Sequence, residues 1–163
     1  MYYLLMLLVV GLDQTTKFLV RSNLMPAGNA PGGTISVIPG VFDIIYASNT
    51  GAAFSILEGM TIFLIAFSAI VIAALMTFIF LRLKKEPQML LMGLSLIAAG
   101  GLGNLIDRVR FGYVVDFFSF MTFPVFNVAD IAVCTGCGLT VLNFVLSEYR
   151  AWKQKKDASN ETE

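Results

Sequence analysis

The stretch "GMTIFLIAFSAIVIAALMTFIFL", residues 59–81, contains no charged side chain. It is 23 residues long, and a helix of about 20 apolar residues crosses the hydrocarbon core of a bilayer. The rest of the chain shares this character, because 57% of its 163 residues are hydrophobic and only 13% are charged. A water-soluble domain would carry about 25% charged residues. The stretch therefore predicts one span of a membrane protein.

Three other segments also predict membrane spans. Residues 87–106 and 131–147 are free of charge, and the N-terminal segment is interrupted only by Asp13 and Lys17 before Arg21. The sequence therefore predicts an all-α polytopic membrane protein of one domain, residues 1–163. The predicted parts are spans at about 2–22, 60–81, 88–108 and 127–149, and a cytoplasmic tail at 150–163, of which the charged residues 153–163 are predicted to be disordered.

Basic residues cluster on one predicted side of the membrane. One cluster lies between the second and third spans and the other follows the fourth, and cytoplasmic segments are enriched in Lys and Arg. Both termini are therefore predicted to be cytoplasmic, with residues 23–58 and 109–126 outside. Eleven basic and eleven acidic residues cancel, which argues against a nucleic-acid partner. The clusters are Arg82, Lys84 and Lys85, and Arg150, Lys153, Lys155 and Lys156.

Two short runs in the first external segment predict strands. "TISVI", residues 34–38, and "VFDIIYAS", residues 41–48, are rich in β-branched and aromatic residues and are bounded by Pro or Gly. We expect them to form a small external sheet. The second external segment, 109–126, is predicted to be a connector that ends near Pro124.

The polar residues of the spans gather at one level. In the predicted topology they fall in the outer half of spans one, three and four, and within each span they are three or four positions apart, so they share a helix face. Ionisable residues inside spans generally face the bundle interior. The sequence therefore predicts one polar site near the outer interface. Its residues are Asp13 and Lys17, Asn104, Asp107 and Arg108, and Asn127 and Asp130, with Asn49 and Gly51 just before span two.

Several of these patterns also have structural interpretations. Asp13 and Lys17 are favoured as a buried ion pair that fixes helix packing. Asp107 and Arg108 are interpreted as a scaffold pair or an interfacial anchor, and "NTGAAF", residues 49–54, as a turn. Gly100, four positions before Asn104, predicts a close approach by another helix or by a substrate.

Other residues have no predicted chemical role. Cys134 and Cys137 are predicted to serve helix packing, because two cysteines without any histidine make no zinc set. Asp43 and Glu58 are interpreted as solvated loop charges. A group of aromatic residues reads as an interfacial belt or as the lining of a lipid slot. These are Phe111, Tyr113, Phe117, Phe118, Phe120, Phe123 and Phe126.

Asp116 and Asp130 are the strongest candidates for catalysis. Both lie in apolar sequence without a basic neighbour within five positions. Two such carboxylates at one depth can share a proton, one acting as acid and the other as base toward water, which requires no histidine, metal or cofactor. Asp130 opens span four, where the helix dipole favours the anion, and Asp116 lies among valines and phenylalanines, where desolvation favours the neutral acid. We therefore predict that Asp130 is the base.

Two other classes of protein remain as alternatives. A small proton-coupled transporter would place ionisable groups near the bilayer midplane and would usually contain a repeat. A non-catalytic membrane scaffold would tolerate replacement of Asp116 and Asp130 by Asn, because the hydrogen bonds would survive.

Five short motifs together resemble the lipoprotein signal peptidases, also called signal peptidase II. Each is weak alone, but the order and spacing agree over nearly the whole chain. The motifs are "DQTTK" (13–17), "NTGAAF" (49–54), "GGLGNLIDR" (100–108), "VVDF" (114–117) and "FNVAD" (126–130).

This resemblance implies an aspartic endopeptidase of the bacterial cytoplasmic membrane. It would remove the signal peptide from diacylglyceryl-modified prolipoproteins, cutting just before the lipidated cysteine, and would be inhibited by the cyclic peptide globomycin. The family fold implies four transmembrane helices, an external β-cradle and a short external helix or loop. The resemblance makes Asp116 and Asp130 catalytic. The positions that would support or line the site are Asp13, Lys17, Asn49, Gly51, Asn104, Asp107, Arg108, Asn127 and Ala129.

Overall fold

Four long helices make up most of the computed structural model, which describes residues 1–27, 32–51 and 59–160. Residues 52–54 of the predicted turn, and Glu58, lie outside these ranges. Each helix is long and apolar enough to cross a membrane, which confirms the predicted four-span fold. The helices are α1 (Tyr2–Leu24), α2 (Thr61–Arg82), α3 (Gln88–Phe111) and α4 (Val128–Asn160).

Large apolar side chains cover the outside of the bundle. Ile62 is 84% exposed and Leu7 is 71% exposed. In water such a surface would be an aggregation liability, whereas in a bilayer it faces hydrocarbon. The exposed surface and the helix lengths therefore agree on a polytopic membrane protein.

Helix α3 lies at the centre and packs against the other three helices. Its glycines allow α4 to approach closely. A Cβ atom on Gly93 would lie 2.8 Å from the Gly136 carbonyl oxygen, and one on Gly100 would clash with the Ala129 carbonyl. The predicted close approach at Gly100 is therefore confirmed. Small residues at such contacts are typical of packed membrane helices.

The two cysteines do not take part in this packing. Cys134 and Cys137 are both free thiols and both exposed, so the prediction that they serve helix packing is wrong. Gly136 is buried against α3. Because an α-helix turns 3.6 residues at a time, neighbours one and two positions from Gly136 point away from that contact.

A three-stranded antiparallel sheet lies at one end of the bundle. Its strands are β1 (Thr34–Ile38), β2 (Phe42–Asn49) and β3 (Val114–Phe120), in the order β1-β2-β3. The two predicted strands are confirmed. Asp43 lies within β2 and is half-buried, so its interpretation as a solvated loop charge is wrong.

The third strand lies in the segment 109–126, which was predicted only as an external connector. Its sequence "VVDFFSF" has a strand composition, but both faces are largely apolar, so no alternation signals it. Pairing with β2 decides it, with Phe118 opposite Ile44 and Asp116 opposite Ala47. Because β2 follows α1 and β3 follows α3, the shared sheet fixes both connectors at the same end of the bundle.

Helix α4 continues well beyond its predicted span. Residues 150–160 are helical, so the prediction of disorder from residue 153 onward is wrong for 153–160. Ala, Lys and Gln are good helix formers, and a helix already formed in the membrane extends without a new nucleation cost. Aromatic contact supports the extension, since the Tyr149 and Trp152 ring centroids are 6.0 Å apart.

A small apolar core attaches the sheet to α1. Val20 and Leu24 of α1 pack against Val115 and Phe117 of β3, and all four are buried. Because Val115 and Phe117 flank Asp116, this contact fixes the position of Asp116 beside the C-terminal end of α1.

Candidate active site

Asp116 and Asp130 are joined through Asn127. The amide of Asn127 donates a 2.6 Å hydrogen bond to Asp116 Oδ1. The Asn127 backbone N–H donates to Asp130 Oδ2 at 3.1 Å, and the Asp130 N–H donates back to Asn127 Oδ1 at 3.0 Å. This reciprocal pair is a capping box at the start of α4. One residue therefore caps the helix, orients Asp130 and binds Asp116.

The second oxygen of Asp116 is held from the neighbouring strand. Asn49, at the end of β2, donates a 2.9 Å hydrogen bond to Asp116 Oδ2. The Asn49 side-chain oxygen accepts the Gly51 N–H at 3.0 Å, which is the local turn predicted for this motif. The turn and the site therefore coincide.

The second oxygen of Asp130 is held from α3. Asn104 donates a 2.9 Å hydrogen bond to Asp130 Oδ1. Its own side-chain oxygen accepts from Lys17 Nζ at 2.8 Å and from the Asn127 amide at 3.2 Å. Asn104 therefore links the aspartates to the charged residues of α1.

A buried ion cluster lies behind the aspartates. Lys17 Nζ is 3.0 Å from Asp13 and 3.1 Å from Asp107, and all three side chains are at most 3% exposed. The structural ion pair predicted for α1 is therefore present, with a second carboxylate added from α3. Charges so buried require such partners, because an unpaired charge costs several kcal/mol.

Each carboxylate of the cluster also holds a backbone amide beside one candidate catalytic residue. Asp13 Oδ1 accepts the Ala129 N–H at 2.9 Å, and Asp107 Oδ2 accepts the Val115 N–H at 3.0 Å. Ala129 precedes Asp130, and Val115 precedes Asp116. The ion cluster therefore fixes the backbone at both aspartates.

Gln14 also belongs to this cluster, although it was not among the predicted site residues. Its amide donates to Asp107 Oδ1 at 3.0 Å, to Asp13 Oδ2 at 3.2 Å and to the Gly103 carbonyl at 3.2 Å. The available signal was a polar amide next to Asp13 in an apolar helix. Gln14 ties α1 to α3 at the level of the site.

Arg108 reaches the site from the last turn of α3. It donates a 2.8 Å hydrogen bond from Nη2 to the Gly51 carbonyl and interacts electrostatically with Asp116 and Asp130. Its Nε is buried and has no hydrogen-bond partner among the described residues. Arg108 thus adds positive charge close to the aspartates.

The environment of Asp116 makes it a weaker acid than an ordinary aspartic acid side chain. Burial raises its pKa from 3.8 to about 6, and the negative charge of Asp130 adds to this, while hydrogen bonds from Asn49 and Asn127 act in the opposite direction. The side chain is 3% exposed, so desolvation is the main cause. At weakly acidic pH a large fraction of Asp116 therefore carries its proton.

All eleven predicted site residues fall in one hydrogen-bonded network. From Gly51 it runs through Asn49, Asp116, Asn127 and Asp130, and then through Asn104 to the ion cluster, from which Asp13 reaches Ala129. Arg108 and Asp107 join it as described above.

Comparison with known proteins identifies the family. The sequence pattern of the family described as signal peptidase (SPase) II matches residues 5–146. The chain belongs to the signal peptidase II family. The family prediction made from the five motifs is thus confirmed, and membership of this family makes the chain a peptidase.

Individual relatives agree with this assignment. A protein named lipoprotein signal peptidase from Enterococcus faecalis is 39% identical over 161 residues, covering 98% of this chain and 96% of that protein. One of the same name from Halothermothrix orenii is 38% identical over 156 residues, covering 96% and 98%.

Solved structures support the same fold. A bacterial membrane enzyme determined by the in meso method at 2.3 Å resolution superposes with a TM-score of 0.79 at 33% identity, covering 90% of this chain and 88% of that one. A second, at 1.9 Å, gives 0.73 at 34% identity, covering 88% and 91%.

Proposed function

We propose that the protein is an intramembrane aspartic endopeptidase that removes the signal peptide from diacylglyceryl-modified prolipoproteins, cutting just before the lipidated cysteine. The observation that carries the aspartic mechanism is the bridge from Asn127 to both carboxylates. Support for the substrate comes from relatives named lipoprotein signal peptidase.

In the proposed mechanism Asp130 is the general base and Asp116 the general acid. Asp130 takes a proton from a water molecule while the oxygen of that water attacks the scissile carbonyl carbon. At the same time Asp116 donates its proton to the carbonyl oxygen. A tetrahedral diol results. Asp116 then takes the proton back while Asp130 passes its own to the leaving nitrogen, and the C–N bond breaks. The raised pKa of Asp116 supports its role as acid.

The supporting residues are proposed to hold this pair in place rather than to transfer protons. Asn49 and Asn104 each occupy one carboxylate oxygen, which fixes the rotamers of Asp116 and Asp130. Arg108 lies close enough to offset part of the negative charge of the pair. Positioning of this kind accounts for a large share of enzymatic rate enhancement.

We further propose that the sheet end of the bundle faces outward from the bacterial cytoplasmic membrane. Both basic clusters lie at helix ends away from the sheet, and cytoplasmic ends are enriched in such residues. Both termini are then cytoplasmic, and the aspartates lie at the level where the acyl chains of the substrate meet its peptide. A phosphatase fused after residue 160 should be inactive in cells. An active fusion would reverse the orientation.

Cleavage by the purified protein tests the function directly. A diacylglyceryl-modified prolipoprotein is incubated with the protein in lipid, and the product is followed by gel shift. The wild type should cleave, and globomycin should stop it. Asp116→Asn and Asp130→Asn should each lower the rate by roughly 10²–10⁴-fold, the usual contribution of general acid–base catalysis.

A matched control separates chemistry from folding. Asp157→Asn makes the same chemical change in the exposed part of α4 and should cleave at the wild-type rate. Rapid cleavage by Asp116→Asn or Asp130→Asn would mean that the carboxylates serve only as hydrogen-bonding scaffold. Proton-driven transport without cleavage would favour the transporter alternative.

A further inference from the structure

A pocket lined by both charged and apolar residues lies between the ends of α1 and α3, next to the ion cluster. It has a volume of about 330 Å³, at the small end of the range for ligand sites, roughly 300–1,000 Å³. Of the residues that the structure describes, those lining it do not include Asp116 or Asp130. The pocket therefore adjoins the ion cluster, since Gln14, Lys17 and Asp107 line it, but it does not contain the two proposed catalytic carboxylates.

Two arginines of this pocket converge on one aromatic ring. The guanidinium carbon of Arg21 lies 3.8 Å from the Phe111 ring centroid and that of Arg110 lies 5.1 Å from it. Each arginine lies in the last turn of its helix, α1 or α3, where the helix dipole favours a cation. The dipole explains each charge singly, but it does not explain why both are brought to the same ring.

Neither arginine has a carboxylate within salt-bridge distance in residues 1–27, 32–51 and 59–160. The nearby acidic residue of the pocket, Asp107, is already paired with Lys17. Two like charges held against one ring repel each other, and an anion between them would relieve the repulsion. The residues that line the pocket include three cations, Lys17, Arg21 and Arg110, and one anion, Asp107. The excess of positive charge favours an anionic ligand.

The surroundings favour the headgroup of a lipid as the source of that anion. Phe18 and Met25 line the same pocket and are 68% and 44% exposed, so an apolar wall adjoins the two guanidinium groups. Helix α1 spans the membrane, and its last turn lies where headgroups lie. Guanidinium groups bind phosphate oxygens in bidentate fashion.

We propose that Arg21, Arg110 and Phe111 form a binding site for the phosphate of an anionic phospholipid in the leaflet on the sheet side. The phosphate lies between the two guanidinium groups, and an acyl chain runs along Phe18. The site is independent of the peptidase reaction and would exist even if Asp116 and Asp130 were not catalytic.

Lipid titration of the full chain in detergent tests this site. Native mass spectrometry follows binding of dioctanoyl phosphatidylglycerol, with dioctanoyl phosphatidylcholine and soluble glycerol phosphate as further arms. The wild type should prefer phosphatidylglycerol, and glycerol phosphate should not displace it. Arg21→Gln combined with Arg110→Gln should bind phosphatidylglycerol about tenfold more weakly, since charge-assisted hydrogen bonds are lost.

The matched control is Lys84→Gln combined with Lys85→Gln, which removes two exposed charges from the turn between α2 and α3 and should bind like the wild type. If the double arginine variant does not fold, Arg110→Gln alone changes only an exposed side chain and should still weaken binding. Unchanged binding in the arginine variants would overturn the proposal. Equal binding of phosphatidylcholine, or displacement by glycerol phosphate, would overturn the assignment to an anionic lipid.

Discussion

Asp13 accepts a 2.9 Å hydrogen bond from the backbone N–H of Ala129, the residue immediately before Asp130. Asp107 likewise accepts a hydrogen bond from the backbone N–H of Val115, the residue immediately before Asp116. Both carboxylates are paired with Lys17. One buried ammonium group thus controls, through two carboxylates, the backbone at both proposed catalytic residues, although those residues lie on different elements.

Replacing Asp13 should separate its two roles. Asp13→Asn keeps an oxygen that accepts from the Ala129 N–H but loses the negative charge. Because Lys17 still forms its ion pair with Asp107, we expect the cleavage rate to fall by only about tenfold. Asp13→Ala loses both contacts, and breaking a buried ion pair costs about 3–5 kcal/mol. Cleavage rate and unfolding temperature measure the two effects. An Asp13→Ala protein with wild-type stability would contradict the structural role of the cluster.

Asn127 should show that helix capping and aspartate positioning are separable. Asn127→Ala removes the N-cap, at a cost of about 1 kcal/mol, together with the bond to Asp116. Asn127→Ser restores a capping oxygen but is too short to reach Asp116. We therefore expect the Ser variant to recover stability without recovering activity. If Ser restored the rate of cleavage, the bond to Asp116 would be unimportant.

The pH dependence of cleavage should report on Asp116. Its pKa is raised to about 6, and a general acid is competent only while protonated. We therefore expect kcat/KM to fall by about tenfold per pH unit as pH rises above 6. Measurements from pH 5 to 8 in one lipid composition test this. A rate that stayed constant or rose over this range would exclude Asp116 as the acid.

Gly103 should tolerate no side chain. A Cβ atom there would lie 2.5 Å from Asp13 Oδ2 and 3.3 Å from the Ala129 Cβ, so Gly103→Ala should push Asp13 away from Ala129. We expect lost activity and a lower unfolding temperature. Gly138→Ala is the control, because nothing lies within 4 Å of a Cβ at that position. Its stability should be unchanged or up to about 1 kcal/mol higher, from helix propensity.

Gln14 should matter although it touches neither proposed catalytic residue. Gln14→Leu removes the amide group whose two N–H donors are shared by Asp107, Asp13 and the Gly103 carbonyl. Loss of the donor to Asp107 Oδ1 costs about 1–3 kcal/mol. Thr15→Ala, at the exposed neighbouring position, should have no effect. Unfolding in detergent compares the two. Equal stability of both variants would show that Gln14 is dispensable.

Local features of the sequence were enough to predict the spans and part of the site. A run of apolar residues such as 59–81 predicts a membrane span from its own composition, independently of the segments that pack against it. The same holds for the i, i+4 spacing of Asp13 and Lys17, because the helical period alone brings those side chains together. The strands β1 and β2 were likewise predicted from composition and from the flanking Pro and Gly.

Tertiary structure decided what those residues contact. Strand β3 exists because β2 offers it a partner, Gln14 acquires its role because α3 lies beside it, and the cysteines face outward because Gly136 takes the contact with α3. The Asp13–Ala129 bond joins residues 116 positions apart. Such pairings depend on how helices and sheet pack, whereas hydropathy and helical period depend only on neighbours along the chain.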